Sequence, residues 1–298
     1  MILLMMGRLT QSLDRAAQAS AIFQAASADE QLSARAAGQD AGVATLAVAS
    51  WALWALGHRD QAVNRIASAL ARAASIGHPH TLAYARYYAA VLYALLGDPG
   101  TSLEHAETCL ALAEENGFAH WRRVLSNVAR SAAQILTGSD AANLGQILSE
   151  LNDMRSKGYL MVTTTLYALV LQAAGAQQYV SVMKELITAA STTVERNDER
   201  LFEAEFHHMK ALTLLAEGGS EAVGQAEAEL LTSLEIAKGQ SARSLELRAA
   251  TSLARLWRDH GKRAEALGLL APVYGWFTEG FDTRDLKEAR ALLDALAS

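Results

Sequence analysis

Apolar residues recur along the chain at spacings of three and four, in segments that each end on a glycine or a similar stop. Between Asp60 and Ile76, the residues Ala62, Ile66, Ala69, Leu70 and Ala73 fall on one helical face. Between Thr101 and Glu115, Leu103, Ala106, Leu110 and Ala113 do the same, and charged residues take the opposite side. The stops form two interleaved series. Gly57, Gly97, Gly138, Gly175, Gly218 and Gly261 make one; Gly77, Gly117, Gly158, Asn197, Gly239 and Gly280 make the other. Each series has a period of about 40 residues, which predicts two helices per repeat, each closed by a residue that tolerates positive φ. No segment shows convincing strand alternation; Tyr159 to Val170 comes nearest, where the period demands a helix.

Small residues sit at fixed offsets after the turn glycines. Gly57 leads to Ala62 and Ala69, Gly97 to Ser102 and Cys109, Gly261 to Ala266 and Val273, and Gly7 to Ser12 and Ala19. Small side chains at these places let two helices approach closely. This is the internal pattern of a tetratricopeptide pair, with a period longer than the usual 34 and a weaker match at Gly138, Asn143 and Glu150. The expected fold is all-α: a right-handed α-α superhelix of degenerate tetratricopeptide-like pairs. Its repeats run over residues 1–37 (incomplete), 38–77, 78–117, 118–158, 159–197, 198–239 and 240–280, with a capping helix over 283–297. Thr283 or Asp285 is the expected cap of that last helix. Pro272, inside the helical run Ala264 to Phe277, is expected to kink or break it, and Tyr274, Trp276 and Phe277 to seal that end. The incomplete first repeat predicts either an upstream continuation or pairing of two copies through this end.

Composition narrows the function classes. Hydrophobic residues are 51% and charged residues 19%, with three prolines, which suits a helical chain with a sizeable core. A net charge of −6 argues against a general nucleic-acid binder. The single cysteine, Cys109, excludes an internal disulfide framework and multi-cysteine zinc sites, and fits a reducing cytoplasm. Met1 to Met6 lacks the basic region and cleavage site of a signal peptide. Gly158 to Met183 is uncharged and long enough to span a bilayer, but three threonines, three glutamines and the break at Gly175 favour two buried helices.

The segment Ser241 to Leu296, SARSLELRAATSLARLWRDHGKRAEALGLLAPVYGWFTEGFDTRDLKEARALLDAL, resembles the C-terminal end of large bacterial regulators. In those, a class III nucleotide-cyclase homology domain or a DNA-binding domain precedes an AAA-like ATPase and a long tetratricopeptide region. GQDAGVATLA at Gly38 to Ala47, WALWALGHRDQAV, SIGHPHTLAYA and NDERLFEAEFHHMKALTLLA are similar to the same family, so the resemblance covers about Gly38 to Leu296. It implies a cytoplasmic regulatory region. It carries over neither cyclase nor ATPase activity, since no family catalytic residue maps onto the chain.

No phosphate-binding glycine loop, dinucleotide fingerprint, His-Glu-x-x-His, Cys-x-x-Cys or nucleophile elbow occurs. Glu203, Glu205, His207 and His208 form the best metal candidate, but they supply only half of a carboxylate-bridged pair and read better as a solvated or groove-lining helix. His78-Pro79-His80 reads as a loop entering a helix. The expectation is therefore no catalytic residue, cofactor or metal. If the first helix of each pair lines a concave surface, that surface includes Trp51, Trp54, Tyr84, Tyr87, Glu205, His208, Arg248, Arg255 and Arg258. Aromatic and arginine side chains concentrate binding energy, whereas the competing reading puts the aromatics in the core and the arginines in solvent. Three functions follow. The first is a non-catalytic interaction, scaffolding or signal-sensing module, binding a peptide or neighbouring ATPase or cyclase domain, with no nucleic acid and no membrane. The second is a small-molecule sensor using the uncharged stretch, and the third a fragment of an enzyme.

Overall fold

The computed structural model describes residues 1–27, 29, 31, 38–118, 127–137, 144–156, 163–176, 179–219 and 221–297. Among these residues there are fifteen helices and no strand. They are α1 (Ile2–Met5), α2 (Leu9–Ala25), α3 (Ala41–Ala55), α4 (Arg59–Ile76), α5 (Pro79–Leu95), α6 (Pro99–Glu115), α7 (Asn127–Leu136) and α8 (Leu144–Ser156). There follow α9 (Thr163–Ala176), α10 (Val180–Asn197), α11 (Glu203–Glu217), α12 (Ala222–Gly239), α13 (Arg243–Asp259), α14 (Arg263–Gly275) and α15 (Arg284–Ala297). The predicted stops Gly138 and Gly158, with Asn143, lie outside the described residues.

Each helix packs on the next, and α3, α5, α7, α9, α11 and α13 also pack on one another in order. That second set of contacts divides the helices into inner and outer members. Inner α3 buries eleven of its fifteen residues and α5 twelve of seventeen, whereas outer α4 buries four of eighteen. An all-round apolar helix such as α3 must be enclosed, and an amphipathic one such as α4 sits with one face in water. The stripe Ala62, Ile66, Ala69 and Ala73 of α4 is fully buried against α3.

The small residues at the predicted offsets do more than make room. Ser102 Oγ on α6 donates to the Ala90 carbonyl of α5 at 2.7 Å, and Cys109 Sγ to the Ala83 carbonyl at 3.2 Å. On α12, Ser233 Oγ reaches the Ala204 carbonyl of α11 at 2.6 Å. A short polar side chain at a close helix crossing thus finds its hydrogen bond on the neighbouring backbone, which removes the cost of burying it.

Four sequence expectations shift. The positive-φ residues near Asn197 and Gly239 are Asp198 (φ 56) and Ser241 (φ 57), one and two positions later. Gly175 lies inside α9, where a Cβ would come within 2.7 Å of Met209 Cε; close approach explains this glycine, and turn geometry does not. Helix α14 runs through Pro272 to Gly275. The proline falls in the last turn, so its missing donor and ring clash act where the helix is ending anyway.

The chain also closes on itself, which its periodicity does not predict. The Leu201 amide donates to the Met5 carbonyl at 2.9 Å, and Tyr88 OH meets Met1 Sδ at 3.4 Å. Leu4 and Met5 are buried, while Ile2 stays 69% exposed. On the other side, Ser244 Oγ donates to the Trp54 carbonyl at 2.5 Å. The Glu279 carboxylate accepts from the Asp60 amide at 3.0 Å at the start of α4, and Arg59 pairs with Asp282 at 3.2 Å. Trp276 and Phe277, expected to seal one end, pack against the α3–α4 turn.

Gly57 makes this last junction. Its φ is +92, and an added Cβ would lie 2.7 Å from Trp276 Cζ3 and 2.9 Å from Arg243 Cβ. Gly261 has φ +77, but an added Cβ there would meet nothing within 4 Å. Gly261→Ala should therefore cost only the conformational penalty, about 1 kcal/mol. Gly57→Ala should cost about 2–4 kcal/mol, since backbone strain is joined by displacement of the docked indole. Urea midpoints of the two variants check this; equal losses would mean the junction adds nothing.

Candidate functional site

The inner helices do not leave an open groove at their N-terminal end. Trp51 and Tyr87 are 0% and 1% exposed, and Trp54 and Tyr84 are also buried. Trp51 lies tilted against Tyr88 with ring centroids 4.4 Å apart, and its Nε1 donates to the Tyr88 carbonyl at 3.0 Å. Tyr84 stacks on Tyr88 at 4.7 Å, and burial pushes its phenol up to about 12. These four aromatics, expected as binding positions, are core. The reason is contact with later helices: α3 also packs on α13, and α5 on α9.

A cavity of about 570 Å³ remains where α9, α11, α13 and α15 approach the α5–α6 turn. Its lining mixes apolar Leu136, Met183, Met209 and Leu212 with polar Gln172, Glu205, His208, Arg248, Arg255, Asp285 and Glu288. Helical spacing explains this grouping. Glu205, His208, Met209 and Leu212 follow one another at steps of three, one and three on α11, and Arg248, Ser252 and Arg255 at four and three on α13.

Arg248 is the hub. Its side chain is 11% exposed. Nε donates to Asp285 Oδ2 at 2.7 Å, Nη1 to Glu205 Oε1 at 3.2 Å and Nη2 to the Leu95 carbonyl at 2.7 Å. The guanidinium also lies 5.6 Å from the Trp54 ring centre. One planar fork thus ties α13 to α11, to α15 and to the end of α5. Burial alone would lower the guanidinium's pKa, but Asp285 and Glu205 outweigh it and hold it raised.

Glu205 is 2% exposed. Burial works to raise its carboxyl; Arg248, then His208 and Gln172, outweigh that and hold it at about 2. Gln172 Nε2 donates to the same Oε1 at 3.3 Å. The other oxygen, Oε2, is buried and lies 3.6 Å from His208 Nδ1, beyond hydrogen-bond distance. His208 Nε2 meets Ser252 Oγ at 2.9 Å, while Nδ1 also lacks a hydrogen bond. These two buried atoms face each other across 3.6 Å.

Of the predicted arginine row, Arg255 stands at the mouth, 3.7 Å from Glu288. Arg258 does not line the cavity and pairs with its neighbour Asp259 at 2.7 Å. The predicted metal candidate divides: Glu203 pairs with Arg200 at 2.9 Å, His207 meets Glu229 at 2.6 Å, and only Glu205 and His208 face the cavity. Among the described residues no three His, Cys, Asp or Glu side chains are placed to hold a metal ion. His78 Nδ1 meets Thr81 Oγ1 at 2.9 Å, and Pro79 is the first residue of α5. From the uncharged stretch, Gln172, Gly175 and Met183 reach the cavity, and no helix among the described residues is long and apolar enough to cross a membrane.

Sequence reasoning missed Asp285 as a partner of Arg248, having read it only as a helix cap. It also missed Asp40, which is fully buried, caps α3 through the Val43 amide at 3.0 Å and pairs with Arg72 at 2.8 Å. The available signal was an aspartate directly before an apolar run. In comparisons with known proteins, no family model matches the chain and no curated protein matches it.

Proposed function

We propose that the chain is a degenerate tetratricopeptide-like superhelix acting as a non-catalytic sensing module, and that it binds a small ligand in its interior cavity. The observation that carries this is the contrast between the filled inner face at α3 and α5 and the cavity of about 570 Å³ between α9, α11, α13 and α15. That volume suits a small organic ligand, and the lining offers both apolar side chains and charged groups to hold it. The resemblance of Ser241 to Leu296 to bacterial cyclase- and ATPase-type regulators supports a regulatory setting, with activity residing in other domains. Ligand binding would act by tightening the contact among α11, α13 and α15, which meet at Arg248.

A metabolite screen by thermal unfolding tests this. A ligand at about 100 times its Kd stabilises by about 2.7 kcal/mol, a rise of several degrees. Ala216 is exposed and lines the cavity, so Ala216→Trp plugs the space without disturbing the core. A ligand should stabilise the wild type and leave this variant unmoved; hits that shift both alike, or no hits at all, would count against the reading.

Protein binding is the second reading. Trp276 and Phe281 are 38% and 48% exposed on the segment around the start of α15, which favours a neighbouring domain docking there.

A further inference from the structure

The charged side chains that line the cavity are already paired with one another. Glu205, Asp285 and Glu288 stand against Arg248, Arg255 and Arg284, so carboxylates and guanidinium groups balance. They balance by contact as well as by number. Arg248 holds Glu205 at 3.2 Å and Asp285 at 2.7 Å, and Glu288 serves Arg255 at 3.7 Å and Arg284 at 3.1 Å. Glu205 is also only 2% exposed, with its second oxygen buried and turned to His208, so a ligand does not reach that carboxylate. A charged ligand entering here loses hydration and finds each counter-charge taken. Attraction to one member of a pair is offset by repulsion from the other.

What the lining offers instead is apolar surface and neutral hydrogen-bonding groups. Leu136 and Leu212 line the cavity and are only partly buried, and Ala216 beside them in the lining is exposed. Met183 and Met209 also line it. Their methyl groups lie 3.7 and 2.7 Å from where a Cβ on Gly175 would stand, and unbranched thioethers adapt to the shape of what packs on them. Gln172 and Ser252 supply an amide and a hydroxyl, both partly buried, next to Glu205 and His208 respectively. A hydroxyl or amide on a ligand can share hydrogen bonds with such groups, and with ion-paired side chains, without bringing a charge.

Resting on the cavity reading above, we infer that the ligand is an uncharged amphiphile, its aliphatic or aromatic body on Leu136 and Leu212 and a hydroxyl or amide toward Gln172 and Ser252.

Titration calorimetry at pH 8 on the full chain, with three probes of one skeleton, tests the inference: 4-phenylbutanol, 4-phenylbutylamine and 4-phenylbutyrate. The alcohol should bind roughly tenfold more tightly than either charged probe, or better. Unbalancing the lining should then create a charge preference. Glu288→Gln should raise the affinity of the carboxylate relative to the alcohol by about threefold, and Arg255→Gln that of the amine by a similar factor. Both positions are about half exposed, so the fold tolerates them, and a merely structural role for either residue predicts no such opposite shifts. A charged probe that binds the wild type within tenfold of the alcohol, and is blocked by Ala216→Trp, would overturn the uncharged ligand while leaving the cavity reading intact. Binding of the alcohol undiminished by Ala216→Trp would overturn both, and binding of none of the three would overturn the inference.

Discussion

Arg248→Met should destabilise the protein by about 3–5 kcal/mol in urea unfolding at neutral pH, the cost of breaking a buried ion pair from one side. The substitution keeps most of the side chain's volume and removes the fork. Glu205, 2% exposed, would then keep only Gln172 and His208 nearby, and the Leu95 carbonyl would lose the guanidinium's 2.7 Å contact. The pH dependence gives an independent check. Holding a carboxyl at about 2 instead of its ordinary 4.5 corresponds to about 3 kcal/mol of stability. A lowered carboxyl contributes that stability above about pH 4.5 and loses it as pH falls toward 2. Glu199 has the opposite sign. Burial raises its carboxyl, against the opposing hydrogen bonds from Thr164, so its contribution is present at low pH and lost as pH rises through the raised value. In Arg248→Met the acid-side loss should vanish or reverse, because Glu205 would no longer be held low. A variant within 1 kcal/mol of wild type, with an unchanged acid limb, would show that the Arg248 hub is not what joins α11, α13 and α15.

Trp51→Ala should cost a similar amount, about 3–5 kcal/mol, through a different mechanism. Trp51 has no exposed surface and meets Tyr87 and Tyr88 at centroid distances of 6.0 and 4.4 Å. Truncation leaves an indole-sized void among rigid aromatic rings on two inner helices, where the surroundings relax poorly. Trp51→Phe separates the contributions. It refills most of the space and loses the 3.0 Å bond to the Tyr88 carbonyl, so about 1–2 kcal/mol is expected. Chemical denaturation together with the near-ultraviolet circular dichroism of the tyrosine cluster reads both variants. A small loss in Trp51→Ala would restore Trp51 as a surface residue able to meet a partner.

Much of the helical order was legible because it is written in local periods. The stripe Ala62, Ile66, Ala69 and Ala73, the small residues Ser102 and Cys109, and the glycine at position 57 each announce a helix face, a close crossing or a turn. Stops read from one residue type alone drifted: Asp198 and Ser241 adopt positive φ where Asn197 and Gly239 were expected, because aspartate and serine also reach that region when a neighbouring backbone bond holds them. The site was half legible. Spacing placed Glu205 with His208 and Arg248 with Arg255 on inner faces. It did not tell which inner faces would be buried against each other, since that depends on contacts between residues far apart in sequence. Arg248 with the Leu95 carbonyl, 153 positions away, is one, and such contacts leave no periodic signature.

The junctions between the two ends alter what kind of folding problem this chain presents. An open array of helix pairs makes only neighbour contacts, so it can nucleate anywhere and survive the loss of a terminal repeat. Here Ser244 bonds to the Trp54 carbonyl across 190 positions, and Arg59 pairs with Asp282 across 223. Such contacts form only after long loops have closed, which slows the final step of folding while making it cooperative. A chain built this way gains or loses helix pairs with difficulty, because an insertion between these elements pulls the α3–α4 turn away from Trp276 and Phe277.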